Sequence, residues 1–357
     1  MSTLWSPVKI GKLELNHRLG LAPMTRSRAR ADGTPGDHSA EYYAQRASLG
    51  LLISEGTQPS EDGQGYTTTP GIHTDAHVKG WKKVTDAVRD AGGHLFIQIM
   101  HAGRVAHPDN TPHHRAPVAP SAIPSGTQIF TPTGMQDTPT PRALTTAEVK
   151  QTVKDFAHAA KRAVEAGAAG VEIHGANGYL VQQFLAPNAN TRSDEYGGSI
   201  ENRARFAIEV AKAVAAEIGP DRTGIRISPK GGAGGLDEGP EVAKLYHHLV
   251  AELNKLGLAY LHILHAGDEK LVQELRKLWK QPLLVNRPNA TPENLDQDVK
   301  SGLADLVPVG KMALANPDLV ARLQKKAPLN EANPATFFGG GAAGFTDYPT
   351  LTAVAAE

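Results

Sequence analysis

The sequence contains no cysteine. That one absence excludes disulfides, thiolate metal sites and cysteine nucleophiles together, and it says little about compartment. Charge of one sign is equally lacking: Lys plus Arg and Asp plus Glu both number 37, for a formal net charge of zero. No basic surface argues for nucleic acid or an anionic membrane, so a small neutral partner fits better. Long hydrophobic runs are missing too, since no stretch approaches the ~20 apolar residues of a membrane span. The N-terminal MSTLWSPVKIG shows no basic segment backed by an apolar one, as a secretion signal would. These absences lead us to expect a soluble cytoplasmic protein, a monomer or small homo-oligomer, acting on small molecules.

What is present is a rhythm. Val8 to Leu15 alternates apolar and polar about Gly11-Lys12, the pattern of a two-residue hairpin turn with glycine first. From Leu19 onward, eight short apolar segments are each followed by a polar loop and an amphipathic helical pattern. They are Leu19 to Ala22, Leu51 to Ser54, Leu95 to Ile99, Gly170 to Ile173, Gly224 to Ile227, Ala259 to Ile263, Leu283 to Val285 and Asp305 to Val309. Alternation of this kind is the signature of parallel βαβ units. The helical stripes are packing surfaces: Thr145 and Glu148 form a capping box ahead of Val149, Val153, Phe156, Ala160 and Val164, and Leu271, Leu275 and Leu278 make a later stripe. With no linker or low-complexity tract, the 357 residues are expected to form a single (β/α)8 TIM barrel, residues 1–357, with an N-terminal hairpin. One excursion breaks the rhythm, from Arg104 to Arg142, rich in Pro, Ser, Thr and Gly and far longer than an ordinary βα loop. After the third strand it would reach the C-terminal face of the barrel and cap it.

In such a barrel the polar residues at the strand ends converge on one mouth. The first segment supplies Pro23, Met24 and Thr25, the second Glu55, Gly56 and Thr57, the third Gln98 and His101, and the fourth His174, Asn177 and Tyr179. The fifth supplies Arg226, the seventh Asn286 and Arg287, and the eighth Gly310 and Lys311. Gln98 and Arg226 fall inside strands that read as buried, and a buried guanidinium is costly without an anionic or carbonyl partner. Either Arg226 makes an internal ion pair, or the two residues face a polar heterocyclic ligand, Gln98 offering donor and acceptor. His107, His113 and His114 lie in the excursion without carboxylate or thiolate companions at ligand spacing, so no metal site is expected. His247-His248 reads as a solvated helix face.

The run HGANGYLVQQFLAPNANTRSDEYGGSIENRARF from His174 to Phe206, the Ala-Pro-Met-Thr stretch at 22 to 25, QIMHAGR at 98 to 104, GIRISP at 224 to 229 and ALANPDLV at 313 to 320 together resemble the old yellow enzyme family of FMN-dependent ene-reductases. The match spans nearly the whole chain, and FFGGGAAGFTDYPTL near the C-terminus is similar to that family's tail. The resemblance implies an NAD(P)H-dependent flavin oxidoreductase that binds FMN, with NADPH or NADH as reductant. Such an enzyme reduces the C=C bond of electron-poor alkenes (enones, enals, maleimides, nitroalkenes) in a ping-pong cycle. It implies that Thr25 bonds the flavin C4 oxygen, Gln98 its pyrimidine edge and Arg226 the N1 and C2-oxygen side, with Pro23, Met24 and Gly56 beside them. His174 and Asn177 would hold the substrate oxygen, Tyr179 would deliver the proton, and Tyr66 and Phe338 would line the substrate pocket.

The phosphate end departs from the pattern. Relatives carry a glycine pair after the seventh strand and an arginine after the eighth-strand glycine, where this chain has Asn286-Arg287-Pro288 and Gly310-Lys311. Proline removes a backbone donor, so we expect the side chains of Arg287 and Lys311 to share the phosphate charge. A second departure is the glycine-rich run Lys230 to Gly239 after the fifth segment, which reads as a mobile loop. The rival readings are another FMN-barrel reaction such as nitro-ester or xenobiotic reduction, a flavin-free ligand-binding barrel, and a metal-dependent barrel hydrolase.

Overall fold

The hairpin forms as its alternation requires. In the computed structural model, which describes residues 3–351, Val8–Ile10 pairs antiparallel with Leu13–Leu15. Gly11 takes φ +55°, and a Cβ there would stand 2.0 Å from the carbonyl oxygen of Asp221. Only glycine serves both the turn and that contact. Ile10 and Leu15 pack with Leu51, Phe96, Tyr260 and Leu306, so the hairpin closes over one end of the barrel.

The eight apolar segments become eight parallel strands: β1 Leu19–Leu21, β2 Leu51–Ile53, β3 His94–Ile99, β4 Gly170–Gly175, β5 Thr223–Ile227, β6 Tyr260–Leu264, β7 Leu283–Asn286 and β8 Val307–Val309. They pair in sequence order, and β8 pairs in turn with β1. Between β7 and β8 the ring closes through the Leu284–Leu306 bridge and the Val285 N–H to Leu306 carbonyl bond at 3.3 Å. Two boundaries differ from the sequence reading in a way that matters for the site. β4 continues past Ile173, because its pairing with β5 runs on through His174–Arg226 and Gly175–Ile227. β7 likewise takes in Asn286, which pairs with Leu264 of β6. These polar residues therefore belong to strands rather than to loops.

Outside the ring the helices bury the predicted stripes. Thr145 accepts from the Glu148 backbone N–H, and Glu148 returns a bond to the Thr145 N–H, so the capping box starts Thr146–Glu165 as read. Val149, Phe156, Ala160 and Ala163 on that helix are fully buried. Ser199 caps Ile200–Ile218. Leu278 is a correction: its two stripe partners are buried, but it sits in the last turn of Glu269–Leu278, beyond the covering surface, and is exposed. His247 is not purely solvated either, since Nε2 lies 3.1 Å from Glu274 on the next helix.

The excursion from Arg104 to Arg142 is tied at its base, where Val118–Ala119 pairs with Arg142–Ala143, and it carries an antiparallel hairpin, Gln128–Thr131 with Gly134–Asp137. The glycine-rich loop expected to be mobile is held in place. Arg104 Nη2 donates to the carbonyls of Gly234 and Gly235 at 3.1 Å each, and Glu238 accepts from the Lys230 N–H at 2.7 Å. No helix among the described residues is long and apolar enough to cross a membrane. The ends of the 1–357 range lie outside the described residues.

Candidate active site

Strand register builds the site. Gln98 lies beside Glu172 across β3 and β4, and His174, Arg226 and His262 form a row across β4, β5 and β6. Directly paired residues point to the same side of a parallel sheet, so these polar groups share the barrel interior. A cavity of about 290 Å³ opens above them, lined by Pro23, Thr25, Gly56, Gln98, His174, Asn177, Tyr179 and Arg226. Eight residues read from the sequence thus meet around one space. Gly56 is required by its neighbour, since a Cβ there would lie 2.5 Å from the Met100 sulfur. Met24 does not line the cavity and packs against the core near Gly310.

The hydrogen bonds orient these groups. Arg226 makes no direct ion pair among the described residues. Its Nη1 donates to Asn177 Oδ1 at 3.4 Å and its Nη2 to Asn286 Oδ1 at 3.1 Å, while its buried Nε has no partner among the described residues. Because Asn177 accepts through Oδ1, its amide N–H groups remain to donate. Asn177 sits at φ +57° with its backbone N–H on Ser228 Oγ at 2.9 Å; asparagine tolerates the left-handed region better than most residues. His174 is 3% exposed. Burial first, then the neighbouring Arg226 and His262, hold its pKa well below the ordinary value, so the imidazole is neutral with one N–H to offer. Its Nδ1 is buried and unpartnered among the described residues.

Beneath the cavity lies a buried carboxylate. Glu172 accepts from Gln98 Nε2 at 2.7 Å and stands 2.8 Å from His262 Nδ1. Burial pushes its carboxyl up, but His262, Arg226 and Gln98 more than offset this and keep it below its ordinary value. Gln98 spends one N–H on Glu172, leaving its carbonyl oxygen and second N–H for a ligand. At the upper edge, the Tyr179 and Tyr66 hydroxyls are 2.8 Å apart with their rings perpendicular. A second cavity of about 560 Å³ begins there, lined by Tyr66, Tyr179, Phe338 and the hairpin residues Ile129, Phe130 and Met135. It shares Thr25 and Tyr179 with the first, so the two cavities adjoin at those side chains.

The orphaned Arg226 Nε and His174 Nδ1, together with the spare Gln98 amide, present buried polar groups whose desolvation calls for a polar ligand. Residues 3–330 match the model of the NADH:flavin oxidoreductase / NADH oxidase family. The chain is 42% identical to 12-oxophytodienoate reductase 2 of Arabidopsis thaliana, with 99% of this chain and 96% of that protein covered. It is 40% identical to a probable flavin mononucleotide-dependent alkene reductase of Leishmania infantum, covering 98% of each. Morphinone reductase in complex with tetrahydroNAD superposes with a TM-score of 0.94 at 43% identity, again over 98% of each chain. The chain belongs to the NADH:flavin oxidoreductase family. The resemblance to old yellow enzymes is borne out, and with it the barrel fold, FMN as cofactor and a nicotinamide as reductant.

In this flavin oxidoreductase the residues fit the flavin ring better than they fit its phosphate as first read. The Arg287 guanidinium is held by Asp298, with Nε at 2.6 Å and Nη2 at 2.9 Å, and by Glu269, with Nη2 at 3.0 Å. Two carboxylates thus compete for the charge that the sequence reading reserved for phosphate. Lys311, exposed at the start of Lys311–Ala315, has no ion-pair partner among the described residues. Sequence reasoning also passed over Glu172 and His262 as site residues, although the signal was the one used for Arg226, a polar side chain inside an apolar strand; Asn286, read at the mouth, accepts from Arg226 through its Oδ1. Arg26 and Arg28 carried no such signal. They donate to carbonyls of Thr336, Phe337, Gly341, Ala343 and Gly344, and so pin the tail that presents Phe338.

Proposed function

We propose that this FMN-dependent ene-reductase takes electron-poor alkenes (enones, enals, maleimides and nitroalkenes) as substrates, with His174, Asn177 and Tyr179 as its working residues. When bound, FMN supplies the hydride that it has taken from NAD(P)H. His174 and Asn177 each donate to the carbonyl or nitro oxygen, drawing electron density from the double bond and stabilising enolate charge as it develops. Both donors are uncharged, so they act over a wide pH range. Tyr179 gives its phenolic proton to the α-carbon. The observation that carries this reading is Asn177: Arg226 holds its oxygen, so its N–H groups are free to face the cavity that it shares with His174 and Tyr179.

Thr25, Gln98 and Arg226 would hold the flavin ring, and the buried positive charge of Arg226 suits the side where a reduced ring gathers negative charge. Tyr66 and Phe338 would line the substrate pocket beneath a lid formed by residues 104–142. Both half-reactions would share this site in one domain, in a cytoplasmic monomer or small homo-oligomer. The test is anaerobic: the yellow protein should bleach on adding NADPH and recover its flavin absorbance with cyclohexenone. A flavin that stays reduced with every alkene but is reoxidised by a nitro ester would favour the xenobiotic-reductase reading, and a protein that cannot be reconstituted with FMN would defeat both.

At the phosphate end, Lys311→Ala should weaken FMN retention by roughly 10- to 100-fold, the worth of one charge-assisted hydrogen bond. Arg287→Ala should have the smaller effect, because Asp298 and Glu269 already occupy that side chain. Equilibrium dialysis of FMN against both variants would decide, and unchanged affinity in Lys311→Ala would reject that residue as a phosphate ligand.

A further inference from the structure

Each turnover leaves Tyr179 without its proton, and the surroundings of that phenol show how it can be restored. Among the described residues the one hydrogen-bond partner of the Tyr179 hydroxyl is Tyr66, at 2.8 Å. His174 lies against the Tyr179 ring at a centroid distance of 5.1 Å, a ring contact and not a hydrogen bond to the hydroxyl. Tyr66 is bonded to that hydroxyl and borders the outer cavity. It is half-buried and stands on the wall of the 560 Å³ cavity whose rim is formed by the exposed Phe130, Met135 and Phe338. Its position is fixed by the chain on either side, where Gln64 Nε2 donates to its carbonyl at 3.0 Å and the Thr69 hydroxyl to the same oxygen at 3.1 Å.

We propose that Tyr66 is the proton relay of this enzyme, returning to Tyr179 the proton spent on the substrate. The Tyr179 O–H bond breaks as the α-carbon C–H bond forms, leaving a phenolate at Tyr179. The Tyr66 hydroxyl then donates its proton across the 2.8 Å bond, and Tyr66 recovers one from water in the outer cavity, so that solvent is the net proton source. Burial raises both phenols above the ordinary value, so both hydroxyls are protonated before reaction and a phenolate formed at Tyr179 is a strong acceptor for the neighbouring proton. Before reaction, a Tyr66 hydroxyl that donates to the Tyr179 oxygen also leaves the Tyr179 hydrogen free to point at the substrate.

This proposal rests on the ene-reductase reading, and its test separates the two. Tyr66→Phe keeps the ring that meets Tyr179 edge-on and removes only the hydroxyl. The ratio of steady-state turnover to the first-turnover rate with cyclohexenone should fall by about 10- to 100-fold, within the range of one acid–base participant. The steady-state solvent isotope effect should increase, and added imidazolium should restore turnover in proportion to its concentration, which a packing defect would not allow. If the ratio, the isotope effect and the response to imidazolium all match the wild type, the relay is wrong while the ene-reductase reading stands. If the reduced wild-type protein is not reoxidised by cyclohexenone at all, that reading fails and the relay fails with it.

Discussion

Replacing Tyr179 by phenylalanine should slow alkene turnover by about 100- to 10,000-fold, the usual worth of a positioned general acid, while NADPH still reduces the flavin. The asymmetry follows from where the phenol stands. Its hydroxyl meets the cavity from the side of Tyr66 and His174 and makes no hydrogen bond to Thr25, Gln98 or Arg226, the residues assigned to the flavin ring. Hydride uptake from the nicotinamide requires no proton at the α-carbon of an alkene, so that half-reaction loses nothing it uses. Rapid-mixing measurements of the two half-reactions would check this, and an equal loss in both would remove Tyr179 from the role. The high pKa of the buried phenol keeps it protonated through the neutral range, so the reaction should not lose its acid as the pH rises towards 8 or 9 by the ordinary phenol scale.

The second large effect should appear in stability. Glu172→Ala should cost about 3 to 5 kcal/mol, the penalty for removing one partner of a buried charge pair. Glu172 is fully buried, and its carboxylate answers His262, Gln98 and, at longer range, the Arg226 charge. Without it Arg226 remains charged in the barrel with only amide oxygens beside it, and Gln98 and His262 each lose a partner. The pH dependence has a definite sign. A carboxyl held below its unfolded pKa stabilises the fold fully above that pKa, and the contribution is lost as the pH falls through the folded value. The gap between wild type and Glu172→Ala should therefore narrow on acidification. Denaturant midpoints of the FMN-bound proteins across pH would measure it, with flavin release followed separately by fluorescence. A loss of under ~1 kcal/mol at neutral pH would mean that Glu172 is not the counter-charge to Arg226.

Both effects involve residues that the sequence treated differently. Tyr179 was legible because it stands in a polar cluster after a buried strand and within a run that resembles a known family. Glu172 was not singled out, although it occupies the same strand as His174 two residues earlier. Alternation along the strand turns both inward, and a charge inside an apolar run carries the same warning at Glu172 as at Arg226. His262 was missed in the same way, since its partner Glu172 lies on another strand. The position of Arg287 was read correctly and its surroundings were not, because Asp298 and Glu269 are 11 and 18 residues away along the chain and nothing local announces that they converge.

The sequence by itself determined the eight-fold alternation, the hairpin, the helix caps, the absence of thiol chemistry and the identity of the residues around the mouth. These follow from short-range rules, namely side-chain period, turn geometry and capping, together with motifs whose order is preserved along the chain. Only the tertiary structure decided which polar groups are spent on each other and which remain for a ligand. Asn177 gives its oxygen to Arg226 and keeps its donors, Gln98 spends one N–H on Glu172, Arg287 is taken by two carboxylates, and the Tyr179 hydroxyl is bonded to that of Tyr66. The reason is physical: a hydrogen bond is satisfied or left open by distances of a few tenths of an ångström between strands far apart in sequence, and those distances are set when the barrel closes.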